Sequence, residues 1–219
     1  MNQPHDTHDQ TILGASVMVV DDLHFRSADH DVFAHFSVAI PSGVTLIKGG
    51  EGRGKSVLLL LLAGDLAADA GTIRIGNVSL QEDRAAFQKL LFRTDLRSEE
   101  FDQMTAMEYL DAQRARYPEF DMAMRDNLIA GLSLAPHIDK KLYMLSTGSK
   151  RKVWLAAAFA SRAQVVLLDE PFAALDRSSI GFVTTLLEAV AADADRACVI
   201  ANYEAPDGVP LASVIDLGD

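Results

Sequence analysis

Gly49, Gly54, Lys55 and Ser56 stand in the spacing Gly-x-x-x-x-Gly-Lys-Ser, inside the stretch GVTLIKGGEGRGKSVLLLLLA that runs from Gly43 to Ala63. Residues of these types at this spacing hold phosphate. A triphosphate brings several negative charges that must lose water. Glycines at Gly49, Gly50, Gly52 and Gly54 let backbone N–H groups turn inward with no Cβ in the way. A helix opening near Gly54 adds its positive dipole end and its unbonded N–H groups. In this pattern Lys55 reaches the β- and γ-phosphates, and the Ser56 hydroxyl ligates Mg²⁺. A second group of reactive types closes the apolar run Val165-Val166-Leu167-Leu168, as Asp169-Glu170-Pro171. Asp169 suits Mg²⁺, through water. Glu170, one residue farther, is set to accept a proton from an attacking water. A phosphate loop combined with this acid pair predicts nucleoside triphosphate hydrolysis.

The elements that must position these groups are legible around them. Val44 to Ile47 lean β-branched and read as a short buried strand leading into the glycine loop, and Val57 to Leu62 as a buried helix leading out. Upstream, Ser16 to Asp21 and Val32 to Ile40 read as strands separated by polar Arg26 to Asp31, and Pro41-Ser42-Gly43 is a turn. Gly71 to Gly76 is another short strand, with Asn77 to Leu80 continuing its hairpin. A helix follows over Asp83 to Leu91, ending in the apolar patch Leu90-Leu91-Phe92. Residues 98–145 read as a helical insert, opened by Thr105 and Glu108 in capping-box spacing; its methionines and aromatics are packing. Then come a helix over Val153 to Ser161, the strand ending at Asp169, a helix from Ser178 to Ala192 and a strand from Ala197 to Ala201. Helices alternating with apolar strands predict an α/β fold with a mostly parallel sheet covered on both faces, plus an antiparallel β subdomain. Residues 1–11 are expected to be a disordered tail, and 12–219 one domain.

Composition narrows the field. The chain has 219 residues, 49% hydrophobic, with a net charge of −11. Such an acidic balance argues against nucleic acid as a partner, but not against ATP, whose site is built locally. The single cysteine, Cys198, lies in an apolar run and reads as core, in a chain suited to a reducing cytosol. The polar start MNQPHDTHDQ carries no secretory signal, and the longest apolar run, Val57 to Ala63, is too short to span a bilayer.

Between the two reactive groups lies Leu145-Ser146-Thr147-Gly148-Ser149, and here the chain resembles the ATP-binding subunits of ABC transporters, whose signature reads Leu-Ser-Gly-Gly-Gln. It keeps Leu145, Ser146 and Gly148, departs at Thr147 and Ser149, and lies 24 residues ahead of Asp169, the family's spacing. Asp169-Glu170-Pro171 matches the family's Walker B ending, Ala174-Leu175-Asp176 resembles its D-loop, and Phe36 to Gly43 resembles its run into the phosphate loop. The resemblance spans roughly residues 16–204 and is nearest in look to exporter-type subunits, haem exporters among them. It implies the ABC-ATPase fold, with ATP and Mg²⁺ bound and a head-to-tail dimer, homo- or heterodimeric. Ser146 and Gly148 of one subunit would close over ATP held by the other, with Asp176 beside it. A separate transmembrane permease is the implied partner, and a cytoplasmic location peripheral to the inner membrane follows. Ser146 also suits the cap of a helix whose N–H groups aim at a γ-phosphate.

Two family features are absent. The switch histidine is replaced by Tyr203, which the resemblance places in the catalytic set; its hydroxyl can donate to a phosphate oxygen, but a phenol is a poor proton acceptor. The Q-loop glutamine is replaced by Thr94 or Asp95. The adenine-stacking aromatic expected near Ser27 is missing too, with Phe25 two residues away. The expectation is ATP binding with slow turnover. The alternative is a degenerate cassette that clamps or regulates with little hydrolysis, and a soluble cassette acting on DNA or ribosomes is disfavoured by charge.

Overall fold

Strand β3 (Gly43–Lys48), buried at every residue but the last, lies inside a five-stranded sheet, one strand from its edge. The structure, a computed structural model, describes residues 16–27, 30–95 and 98–218, so the expected tail lies outside the described residues. β3 pairs in parallel with β8 (Ala197–Ala201) on one side and β9 (Leu211–Asp216) on the other. Beyond β8 come β7 (Val165–Asp169) and β6 (Leu91–Arg93), also parallel, giving the order β6-β7-β8-β3-β9. Strands buried on both faces need apolar residues at every position, which is why VVLL and ACVIA carry no alternation. Their side chains divide between two cores. Val44, Leu46, Val166, Leu168, Cys198 and Ile200 face one; Ile47, Val165, Leu167, Val199 and Ala201 face the other.

The first core is closed by α5 (Thr147–Ala160), α6 (Arg177–Ala191) and the insert helices α3 (Ala106–Arg116) and α4 (Met122–Gly131). Tyr109 of α3 stacks on Trp154 of α5, ring centroids 4.3 Å apart and 7° from parallel, so the insert's aromatics are packing. The Thr105–Glu108 capping box forms in both directions, at 2.7 and 3.1 Å. The insert is less helical than its sequence suggests: residues 98–105 run as turns, and two short 3-10 turns, Ala135–His137 and Leu142–Met144, follow α4.

The second core is closed by α1 (Lys55–Ala63), by Phe87 of α2 (Arg84–Leu90) and by a separate antiparallel sheet. That sheet has the order β2-β1-β4-β5, built from β1 (Ser16–Ser27), β2 (His30–Pro41), β4 (Ala70–Ile75) and β5 (Val78–Ser79). Both long strands run into the polar break expected at Arg26 to Asp31, β1 as far as Ser27 and β2 from His30, and Arg26 pairs with Asp31, Nε to Oδ1 at 2.8 Å. An exposed hairpin arm needs no apolar alternation. The apolar patch at Leu90 to Phe92 divides between the end of α2 and strand β6, and β9 had no counterpart in the sequence reading.

Cys198 is wholly buried, and burial pushes its thiol up to about 12 from the usual 9.0. A thiol raised in the folded state favours folding while it is protonated. That contribution is complete below the unfolded value, near 9, and drains away as pH climbs toward 12. One such group changes stability by at most about 1.4 kcal/mol per pH unit. Urea unfolding of wild type and Cys198→Ala at pH 7.5 and pH 10 should show a smaller alkaline loss in the variant; parallel losses would contradict the assignment.

Candidate functional site

The carboxyl ends of β3, β6, β7 and β8 lie along one edge of the parallel sheet, where open α/β sheets place their ligands. β3 hands the chain to the glycine loop. Gly52 and Gly54 take left-handed backbone conformations, φ 74° and 90°. A Cβ on Gly54 would sit 3.2 Å from Val32 Cγ1 and 3.3 Å from Phe33 Cζ, so the antiparallel sheet presses directly on the loop. Gly54 caps α1 without a side-chain bond. The first-turn N–H groups of this apolar, buried helix are therefore left without a side-chain acceptor at the sheet edge, as an anion site requires.

Lys55 is the first residue of α1 and is only 8% exposed. Its Nζ donates to the carbonyls of Gly49 and Gly50 at 2.7 and 2.8 Å. The same ammonium lies 4.3 Å from the ring centroid of Tyr203, just past the end of β8. All three partners are neutral. Beside it, Ser56 Oγ donates to Asp169 Oδ2 at 2.6 Å, joining the helix start to the end of β7. Glu170 follows in the left-handed region, φ 45°, its N–H fixed to Ala201 O at 2.9 Å. That conformation turns the chain sharply at the strand end and leaves the carboxyl group in a cleft of about 360 Å³ shared with Ser56 and Asp169.

The wall opposite comes from β6 and α5. Thr94 is buried, its N–H bonded to Leu167 O at 3.2 Å, while Asp95 borders the cleft and pairs with Arg93 at 2.9 Å. Neither offers the long amide the family carries there. Phe25, the nearest candidate for base stacking, packs against the second core instead. Arg151 lines the same cleft and went unread in the sequence, hidden in the basic run Lys150 to Lys152. Its Nη1 donates to Ala173 O, while its buried Nε has no hydrogen-bond partner. Burial lowers its pKa, and the charges of Glu170 and Asp169 pull the other way.

Ser146, Gly148 and Asp176 form a second group. Ser146 caps α5, accepting from Ser149 N at 3.1 Å, as the sequence predicts. Asp176 caps α6, accepting from Ser179 N at 2.9 Å, and pairs with Lys152. The Lys152 bond, then those from Ser178 and Ser179, hold its carboxyl well below the usual carboxylate range. A Cβ on Gly148 would collide with Ala174 O at 2.3 Å. Three contacts therefore zip the first two turns of α5 to the loop after β7: Gly148 on Ala174, Arg151 on Ala173 and Lys152 on Asp176. No described hydrogen bond joins Ser146 or Gly148 to the glycine loop of the same chain. Thus Gly49 to Ser56, Asp169, Glu170 and Tyr203 come together, and Ser146, Gly148 and Asp176 stand apart from them.

A parallel sheet gathering a glycine phosphate loop and an acidic strand end on one edge is the architecture of a P-loop ATPase. More narrowly, the chain belongs to the ABC transporter family, whose profile matches residues 34–173. It is 30% identical over 201 residues to the cytochrome c biogenesis ATP-binding export protein CcmA of Aromatoleum aromaticum, covering 90% of this chain and 94% of that protein. It is 27% identical to the ABC transporter ATP-binding protein YtrB of Bacillus subtilis, over 81% of this chain and 60% of that protein. Among solved structures, an ATP-binding subunit of an ABC transporter superposes with a TM-score of 0.77 at 19% identity, over 86% of this chain and 80% of the other. The export protein agrees with the exporter-like look of the sequence. The residues fit the family's ligands: a buried ammonium with neutral partners suits a phosphate, and a hydroxyl and carboxylate 2.6 Å apart suit a hard cation that takes oxygen donors.

Gly148→Ala should lower stability by about 1–3 kcal/mol, because Ala174 backbone must move to admit the methyl. An unchanged urea midpoint would show that the two segments are not packed together.

Proposed function

We propose that this chain is the ATP-binding and ATP-hydrolysing subunit of a transporter, dimerising on ATP and driving a separate transmembrane permease. The observation that carries the proposal is the Lys55 ammonium, buried under the Tyr203 ring, whose hydrogen bonds among the described residues go to the neutral Gly49 and Gly50 carbonyls. A terminal phosphate is the partner this cation lacks. On binding, Lys55 exchanges carbonyl contacts for phosphate oxygens, and the N–H groups from Glu51 to Ser56 converge on the same charge, the Gly50 N–H being held by Gly218 O at 2.9 Å. Ser56 and Asp169 would hold Mg²⁺, which neutralises charge developing on the phosphate oxygens. Glu170 accepts the proton of the attacking water. Arg151, facing both acids, holds the Glu170 side of the cleft in place through Ala173.

Ser146 and Gly148 act on the nucleotide of the opposite subunit in this reading. They are exposed or half-buried on the α5 turn and have no bond to their own glycine loop, which fits a role across an interface. Among the described residues no helix is long and apolar enough to cross a membrane. In this reading coupling to transport runs through a membrane partner, at the cytoplasmic face.

Tyr203 supports a second reading, a cassette that clamps ATP and turns it over seldom. It is 54% exposed, and its recorded contact is through the ring face on Lys55. The hydroxyl can donate to a phosphate oxygen, but a phenol does not shuttle a proton as an imidazole does. Missing one preorganised transition-state contact lowers turnover on the order of 10²–10³-fold, while binding rests on the loop and survives. Without a partner, the chain should hydrolyse ATP slowly, and Glu170→Gln should remove what remains while trapping an ATP-dependent dimer in sedimentation. Turnover unaffected by Glu170→Gln would take the base role from this residue. Tyr203→Phe should keep wild-type ATP affinity and Tyr203→Ala should weaken it; loss in the Phe variant as well would restore the hydroxyl as the working group.

A further inference from the structure

Away from the nucleotide edge, three metal-ligating side chains converge on the antiparallel sheet. His24 Nε2 lies 3.0 Å from His35 Nδ1, His35 Nδ1 lies 2.7 Å from Asp22 Oδ1, and His24 Nε2 lies 3.4 Å from the same oxygen. Hydrogen bonding cannot satisfy all three contacts. If His24 donates to His35 Nδ1, that nitrogen has no proton for Asp22 and turns a lone pair on a carboxylate oxygen. If His35 donates to Asp22, its nitrogen has no lone pair left for His24, and if it shares that proton with a His24 lone pair, the lone pair also faces the Asp22 oxygen at 3.4 Å. If both rings donate to Asp22, two N–H groups face each other. A single cation at the centre takes a lone pair from each of the three atoms at once.

The spacing agrees with that cation. Zinc binds histidine nitrogen and carboxylate oxygen at roughly 2.0–2.2 Å, so ligand atoms at angles between octahedral and tetrahedral stand about 2.8–3.5 Å apart. The three observed separations span 2.7 to 3.4 Å. We propose that Asp22, His24 and His35 form a binding site for one borderline divalent cation, zinc by the donor set, with the remaining position open to water. Two imidazoles and one carboxylate on a surface are the donors of open zinc sites, and too nitrogen-rich for magnesium or calcium.

The backbone is built to aim these groups. Asp22 and His35 both take left-handed conformations, φ 48° and 53°, which histidine and aspartate adopt more readily than most residues. The β1–β2 register is broken around Val20, Leu23 and Phe25, and Asp22 N donates to Ser37 Oγ at 2.9 Å. Gly71 of β4 faces this bulge: a Cβ there would fall 2.5 Å from Asp22 O and 2.6 Å from Leu23 Cα. A bulge that re-aims side chains, braced by a neighbouring glycine, is a common way for a sheet edge to assemble a site. The cation would pin β1 to β2 two residues from Phe33, which itself rests against Gly54 of the phosphate loop.

The test uses untagged, chelator-stripped full-length protein titrated with zinc chloride by calorimetry and with cobalt chloride by visible absorption. The expected result is one zinc per chain and cobalt bands characteristic of nitrogen ligation. His35→Asn and Asp22→Asn retain side chains that tolerate a left-handed backbone and should each weaken zinc on the order of 100-fold, at least as much as loss of an outer-shell partner. His30→Gln, an exposed histidine on the same hairpin, should leave affinity unchanged. No zinc uptake, or uptake equal in wild type and both Asn variants, would overturn the proposal, the second result placing the ion at other histidines such as His5 and His8. Were either variant to unfold, absence of nitrogen-ligated cobalt bands in wild type would overturn it alone.

Discussion

A lysine ammonium buried among neutral groups is the constraint on which the site depends. Burying a cation is costly unless it is paired, and here the described partners of Lys55 are two carbonyl oxygens and the face of a tyrosine ring. The surroundings follow from it. β3 must be rigid and buried to deliver the loop, and α1 must begin directly after Gly54 so that its dipole and first-turn N–H groups share the same focus. The antiparallel sheet must press Val32 and Phe33 against the loop to keep it folded back. An apolar helix with no side-chain cap, placed at a sheet edge, makes sense as a receptor for negative charge.

The acid side of the cleft is joined to the α5 turn by contacts that are wholly internal to the chain. Gly148 fits only because it has no Cβ, Arg151 holds the Ala173 carbonyl, and Lys152 pairs with the residue that caps α6. Glu170 and Ala174 in the intervening turn both have positive φ, so that turn is strained and held from both ends. Arg151 thus ties α5 to Ala173, three residues past Glu170 in that turn. In a dimer closed across Ser146, this would couple the state of one nucleotide pocket to the acid group of the same chain.

Much of this was legible in the sequence, for identifiable reasons. The glycine loop, the Asp169-Glu170 strand end and the capping serine are local patterns whose chemistry depends on spacing, and each has the expected local geometry. The buried parallel strands announced themselves as unbroken apolar runs. What was not legible depended on distant partners. β9 is an edge strand with Val214 half exposed, so its alternation carries little apolar signal; only pairing with β3 defines it. The β1–β2 arm is polar beyond Phe25 and is held by cross-strand pairs such as Arg26 with Asp31. Arg151 reads as one cation in a basic run until the fold turns it toward Glu170. His24 and His35 are separated by a hairpin, and no linear motif joins them.

The measurement that bears most directly on the account is calorimetric titration of magnesium–ATP into the purified chain and its Lys55→Ala variant, both at the same ionic strength. One nucleotide per chain, with affinity reduced on the order of 100-fold or more in the variant, is the predicted result. Equal affinity in the two proteins, or no binding by wild type, would mean that the buried ammonium does not serve a phosphate and that the site has been misread.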